Sequence, residues 1–193
     1  MAYSHNSLLR GLNAILLQGP HVPSCDQPDY NAQDVKDLLF FVESWVKTME
    51  WHHHTEETTM FPGIEKMAGE PGLLSGAQHQ HEQFHDGLMT LREYTATYQQ
   101  KPDEYRWDKM KVIIDSFTPS LTKHLYEEID VFLSFDRLDS EGLRKCWIEA
   151  EEVAKGKGKI SFLVGGPCWE VLVLNIADNV CLVRHLPLRP WLL

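Results

Sequence analysis

The chain has 193 residues, a formal net charge of −10 and ten histidines. That length suits one domain with a proper core and a modest appendage. Ordinary apolar and charged fractions exclude disordered and fibrous classes, and the acidic balance argues against nucleic acid and anionic membrane as partners. The four cysteines, Cys25, Cys146, Cys168 and Cys181, make no CxxC pair, so reduced thiols in a cytoplasmic protein are the expectation. The first twenty residues lack a basic start and a continuous apolar run, which argues against a signal peptide. No run of about 18 apolar residues predicts a membrane span.

Helical periodicity predicts four long elements. The first runs from about Ser4 to Leu17, with Leu8, Leu12 and Ile15 on one stripe, and ends at Gly19-Pro20. A proline-bearing loop follows. The second opens near Asp34 as N-cap and carries Leu38, Val42, Trp45, Met49, His52, Glu56 and Met60 at three- and four-residue steps. Its strong part closes at Phe61-Pro62-Gly63, with an extension through Ile64 and Met67 allowed. The third spans about Ser75 to Tyr98, with His81, Phe84, His85, Leu88 and Leu91 as its stripe. The fourth spans about Glu104 to Phe135, with Met110, Ile113, Phe117, Leu121, His124, Glu128 and Val131 in register; Pro119 inside it predicts a kink. A shorter fifth helix covers Ser140 to Lys155. Beyond the Lys/Gly run at 155–159 the chain is β-prone around Val171 to Ile176 and Val180 to Val183. The predicted fold class is all-α: an antiparallel four-helix up-down bundle over residues 1–155, with an irregular or β-prone extension at 156–193.

Nine of the ten histidines precede residue 125. Residues four apart on a helix share a face, and three such pairs carry metal-competent side chains: His52/Glu56, His81/His85 and His124/Glu128. Each pair falls on the apolar stripe of its helix, and His5 lies one step before Leu8 and Leu12 on the first. Five imidazoles and two carboxylates therefore converge on one interior. A buried carboxylate without a partner costs several kcal/mol, and no Lys or Arg shares these stripes near the histidines, so divalent metal is the expected source of positive charge. Seven ligands exceed what one tetrahedral zinc accepts. They suit two metals with bridging carboxylates, iron first, with manganese or zinc as weaker fits. His53 with Glu57 is a competing register to His52 with Glu56. His21, His54 and His79 read as solvated or peripheral, His185 as a tail residue, and Glu57 and Glu127 as solvated. Trp45, Phe84 and Phe117 read as core rather than cavity lining.

The order His … HxxxE … HxxxH … HxxxE, carried here by HNSLLRGLNAI, HHHTEETTMFP, HEQFHDGL and HLYEEID, resembles the hemerythrin-like, HHE cation-binding family in its fungal branch over about residues 1–140. The resemblance implies a non-haem di-iron centre held by His5, His52, Glu56, His81, His85, His124 and Glu128. The functions it leaves in competition are carriage or sensing of O2 or a related small ligand, an oxidative enzyme (oxygenase or peroxidase) of secondary metabolism, and iron sequestration or a structural metal. A ligand as near a helix start as His5 is expected to fray.

Overall fold

The computed structural model describes residues 1–157, 160–164, 171–175 and 180–182, with side chains through residue 153. Among these residues six helices form a helical bundle: α1 (Ala2–Gln18), α2 (Ala32–Thr55), α3 (Phe61–Ala68), α4 (Ser75–Gln99), α5 (Trp107–Leu133) and α6 (Ser140–Lys157). Three strands follow, β1 (Ile160–Val164), β2 (Val171–Asn175) and β3 (Val180–Leu182), paired antiparallel in the order β1-β2-β3. No helix among the described residues is long and apolar enough to cross a membrane.

The ends of the elements follow local chemistry. Asn31, rather than Asp34, caps α2: its side chain accepts the Gln33 N–H at 2.9 Å, while Asp34 sits in the first turn, where a negative charge favours the helix dipole. After Thr55 the chain does not stop. A π-helical turn, Glu56–Met60, joins α2 directly to α3, and the Phe61 N–H reaches back five residues to the Glu56 carbonyl. Pro62 supplies a reason, since it has no N–H to bond and its ring crowds the carbonyl four residues earlier; a wider turn relieves that crowding. The helix then ends at Gly69 with φ +69°, the left-handed cap that glycine adopts without penalty. Helix α5 runs as one helix through Pro119, and the Thr118 hydroxyl donates to the Ile114 carbonyl at 2.6 Å beside it. It ends at Leu133, so Phe135 falls in the 3-10 turn Ser134–Arg137 instead of the helix.

Helix α4 packs on both α2 and α5, and α1 lies against α2 and α5. The Trp45 indole N–H donates to the Leu8 carbonyl at 2.9 Å, tying α1 to α2. Among the described residues two apolar clusters fill the interior. The larger holds Leu8, Leu12, Trp45, Met49, Phe84, Leu88, Phe117, Leu121 and Leu125 among others. The smaller holds Met60, Phe61, Ile64, Leu74, Ala77 and Phe135, with Met1, Val131 and Trp147 packed against it. Between them, on each of α1, α2, α4 and α5, comes a histidine. This polar layer positions the site.

Candidate metal centre

Among the described residues two groups of donors form the layer. His53, Glu56, His81 and His124 make one; His5, His52, Glu56 and Glu128 make the other. In each, one ligand atom per residue lies within 4.8 Å of all the others, and each could hold a metal ion. Glu56 belongs to both. All seven side chains are buried or nearly so, with Glu56, His124, His5 and Glu128 at 2 % exposure or less.

The histidine tautomers can be read from their outer partners. The Nδ1–H of His5 donates to the Leu125 carbonyl at 2.7 Å. That of His81 donates to Glu57 Oε1 at 2.6 Å, and that of His124 to Gln80 Oε1 at 3.0 Å. Carbonyl and carboxylate oxygens only accept, so these protons sit on Nδ1 and each Nε2 carries a bare lone pair. Those lone pairs point inward: Nε2 of His81 and of His124 stand 3.1 Å apart. Two unprotonated nitrogens at that distance repel one another unless a cation lies near both. His5 Nε2 approaches Glu128 at 3.1 Å and His52 Nε2 approaches Glu56 at 3.0 Å. Yet these nitrogens, His53 Nε2 and all four oxygens of Glu56 and Glu128 find no partner in hydrogen-bonding geometry. Seven buried polar atoms left unsatisfied in one place would be an unusual cost in a folded protein. The donor set fits two divalent ions of intermediate softness that share Glu56.

The electrostatics point the same way. Burial pushes the Glu56 carboxyl up to about 8, and burial also raises Glu128. Burial lowers His52 to about 4 and His124 to about 3, with neighbouring imidazoles adding to the effect at His124. His53 and His81 are lowered by burial as well. The buried interior thus disfavours both kinds of charge, keeping His52, His53, His81 and His124 neutral.

The sequence-predicted residues do not all gather here. His5, His52, Glu56, His81, His124 and Glu128 do. His5 does not sit loose at the helix start: it is buried and pinned to Leu125. His85 lies apart, its side chain 63 % exposed beside Asp86 at 3.6 Å. The buried face of α4 follows Ala77, His81, Phe84, Leu88 and Leu91, and Phe84 occupies the space next to His81, with ring centroids 5.2 Å from His53 and 5.5 Å from His124. His53 stands in the layer instead, 4.2 Å from His81 between ring centroids. Glu57 and Glu127, expected to be solvated only, have roles: Glu57 orients His81, and Glu127 accepts from Gln80 Nε2 at 2.8 Å, which fixes the amide that orients His124. Their positions beside Glu56 and Glu128 were visible in the sequence; their partners on other helices were not. His21, His54 and His79 are exposed, and His185 lies outside the described residues.

A cleft of about 790 Å³ opens between α2 and α4. His53, His81 and Phe84 form part of its lining, with Trp51, Glu57 and His85. The first donor group is therefore approached from the surface, while Trp45 and Phe117 stay in the core, stacked at 6.4 Å.

A helical bundle with a buried His/Glu layer of this kind defines a cation-binding helical protein. The chain belongs to the hemerythrin HHE cation-binding domain family, whose model matches residues 1–135. It is also similar to the "Dimeric xanthone biosynthesis cluster protein R11" of Cryptosporiopsis sp. (strain 8999), at 36 % identity over 152 residues, 79 % of this chain and 55 % of that protein. The chain thus spans little more than half the length of that relative. No solved structure matches it.

Proposed function

We propose that the chain is a non-haem di-iron protein that binds O2 or a related small ligand, in carriage or sensing. The observation that carries the reading is the pair of donor groups sharing Glu56, rich in imidazole and poor in carboxylate. Bound iron would supply the redox chemistry with O2. The protein's part is to hold His52, His53, His81 and His124 neutral by burial and to aim the imidazoles through Leu125, Glu57 and Gln80. An up-down antiparallel arrangement of α1, α2, α4 and α5 belongs to this reading. In support, the small apolar cluster precedes the histidine on α1 and α4 and follows it on α2 and α5. Residues 1–155 would form the metal-binding unit.

Iron analysis with visible spectra before and after O2 tests the proposal. About two irons per chain and a new visible band on mixing the reduced protein with O2 are expected. Zinc alone at about one per chain would sink it.

One observation favours a second reading, an oxidative enzyme acting on an organic molecule. The cleft beside His53 and His81 is larger than a diatomic needs, and the relative's name places that protein in a biosynthesis cluster. Substrate-dependent O2 consumption would decide for it.

A further inference from the structure

The sequence pattern offers His52 and His53 as rivals, and His81 with His85 as a pair. The structure assigns the donors differently: we infer that His52 and His53 both ligate, one to each metal, and that His53 fills the ligand place which the HxxxH spacing gives to His85. The inference rests on the metal reading above and deepens it.

Adjacent residues on a helix point about 100° apart, so two neighbouring histidines rarely share a core. Here they need not share one position. Glu56 is four residues after His52 and three after His53, so it lies over both, on the face each presents. His52 turns to one side of Glu56, toward His5 and Glu128; His53 turns to the other, toward His81 and His124. The ring centroids record the split: His52 lies 5.1 Å from His5, and His53 lies 4.2 Å from His81 and 5.4 Å from His124. The His53 Nε2 is buried without a hydrogen-bond partner. Each metal position then has four protein donors, and Glu56 counts in both.

His85 has none of these features. It is exposed, it sits beside Asp86, and Phe84 takes the core position it would need. It remains on the wall of the cleft that leads to His53 and His81. His85 is thus left free of the core, facing whatever enters the cleft.

The test loads the wild-type chain and the His53→Ala and His85→Ala variants with Fe(II) without oxygen. Iron per chain is read by elemental analysis and site heterogeneity by Mössbauer spectroscopy. His85→Ala should keep the wild-type iron content and spectrum; His53→Ala should lose about half the iron and one of the two subspectra. If His53→Ala fails to fold by circular dichroism, His53→Gln, nearer in shape, is read in its place against the same expectation. Full iron in the His53 variant, or loss of iron in His85→Ala, overturns the assignment alone. A wild-type chain that takes up no iron sinks the metal reading and this assignment together.

Discussion

A neutral imidazole ligates through one nitrogen, and the acceptor on the other sets both its tautomer and its aim. For His81 that acceptor is Glu57, at 2.6 Å. Glu57→Ala leaves the Nδ1–H without this partner, so metal affinity should fall by roughly 10–100-fold, with Glu57→Gln intermediate because its carbonyl still accepts; competition with a chromophoric chelator measures both. The carboxylates give a pH signature. In the metal-free protein Glu56 titrates near 8 rather than in the ordinary acid range. It holds its proton at pH 7, and its contribution to stability, full only below the ordinary carboxylate value of 4.5, is lost as pH rises from there through the folded value of about 8. His52 and His124 are displaced to about 4 and about 3. They are already neutral at pH 7, and their contribution is lost as pH falls below the ordinary imidazole range. Metal binding near pH 7 should therefore release about one proton from Glu56 and none from these imidazoles, with release declining above pH 8; calorimetry in buffers of different ionisation enthalpy reads it. The gathering of buried histidines and glutamates was legible in the sequence because core-facing ones stand out at helical spacing. The place of His85 outside that layer was not. The i,i+4 rule cannot tell His85 from a surface neighbour, since the stripe of α4 steps by three at Phe84. Nor does a spacing along one helix reveal that Gln80 and Glu127 meet across two.

At the scale of the elements, the closeness of α4 to α5 sets how far apart their donors stand. A Cβ added at Gly87 would lie 2.6 Å from the Phe117 Cβ, a near-backbone atom that cannot swing away. Gly87→Ala should lower stability by about 1–3 kcal/mol through overpacking. This outweighs the helix propensity that alanine would otherwise bring, and thermal melting of the metal-free variant checks the sign. The helices themselves were readable within a few residues, because long apolar stripes dominate the signal. The exceptions were ends and interruptions. Asn31 caps α2 four residues before its first buried residue, Val35, and Phe135 belongs to a 3-10 turn that continues the apolar pattern of α5. The π turn at Glu56–Met60 left no periodic mark of its own, because one extra residue per turn merely shifts the phase between Glu56 and Ile64.

The described side chains form two apolar clusters with a polar layer between them. Metal held at about 100 times its dissociation constant would stabilise the fold by about 2.7 kcal/mol, so chelation should lower the melting temperature by roughly 5–10 °C. The layer has a mechanical consequence too. Without metal its unsatisfied atoms make it a weak layer, bridged by the Phe61–His81–Phe84 ring contacts and by hydrogen bonds such as His5 to Leu125, so the smaller cluster should open before the larger. Amides of α3 and of the start of α4 should then exchange with solvent well before those around Trp45 and Leu91. Metal, gripping four helices at once, would act as a rivet, and the two ends of the bundle would open only together.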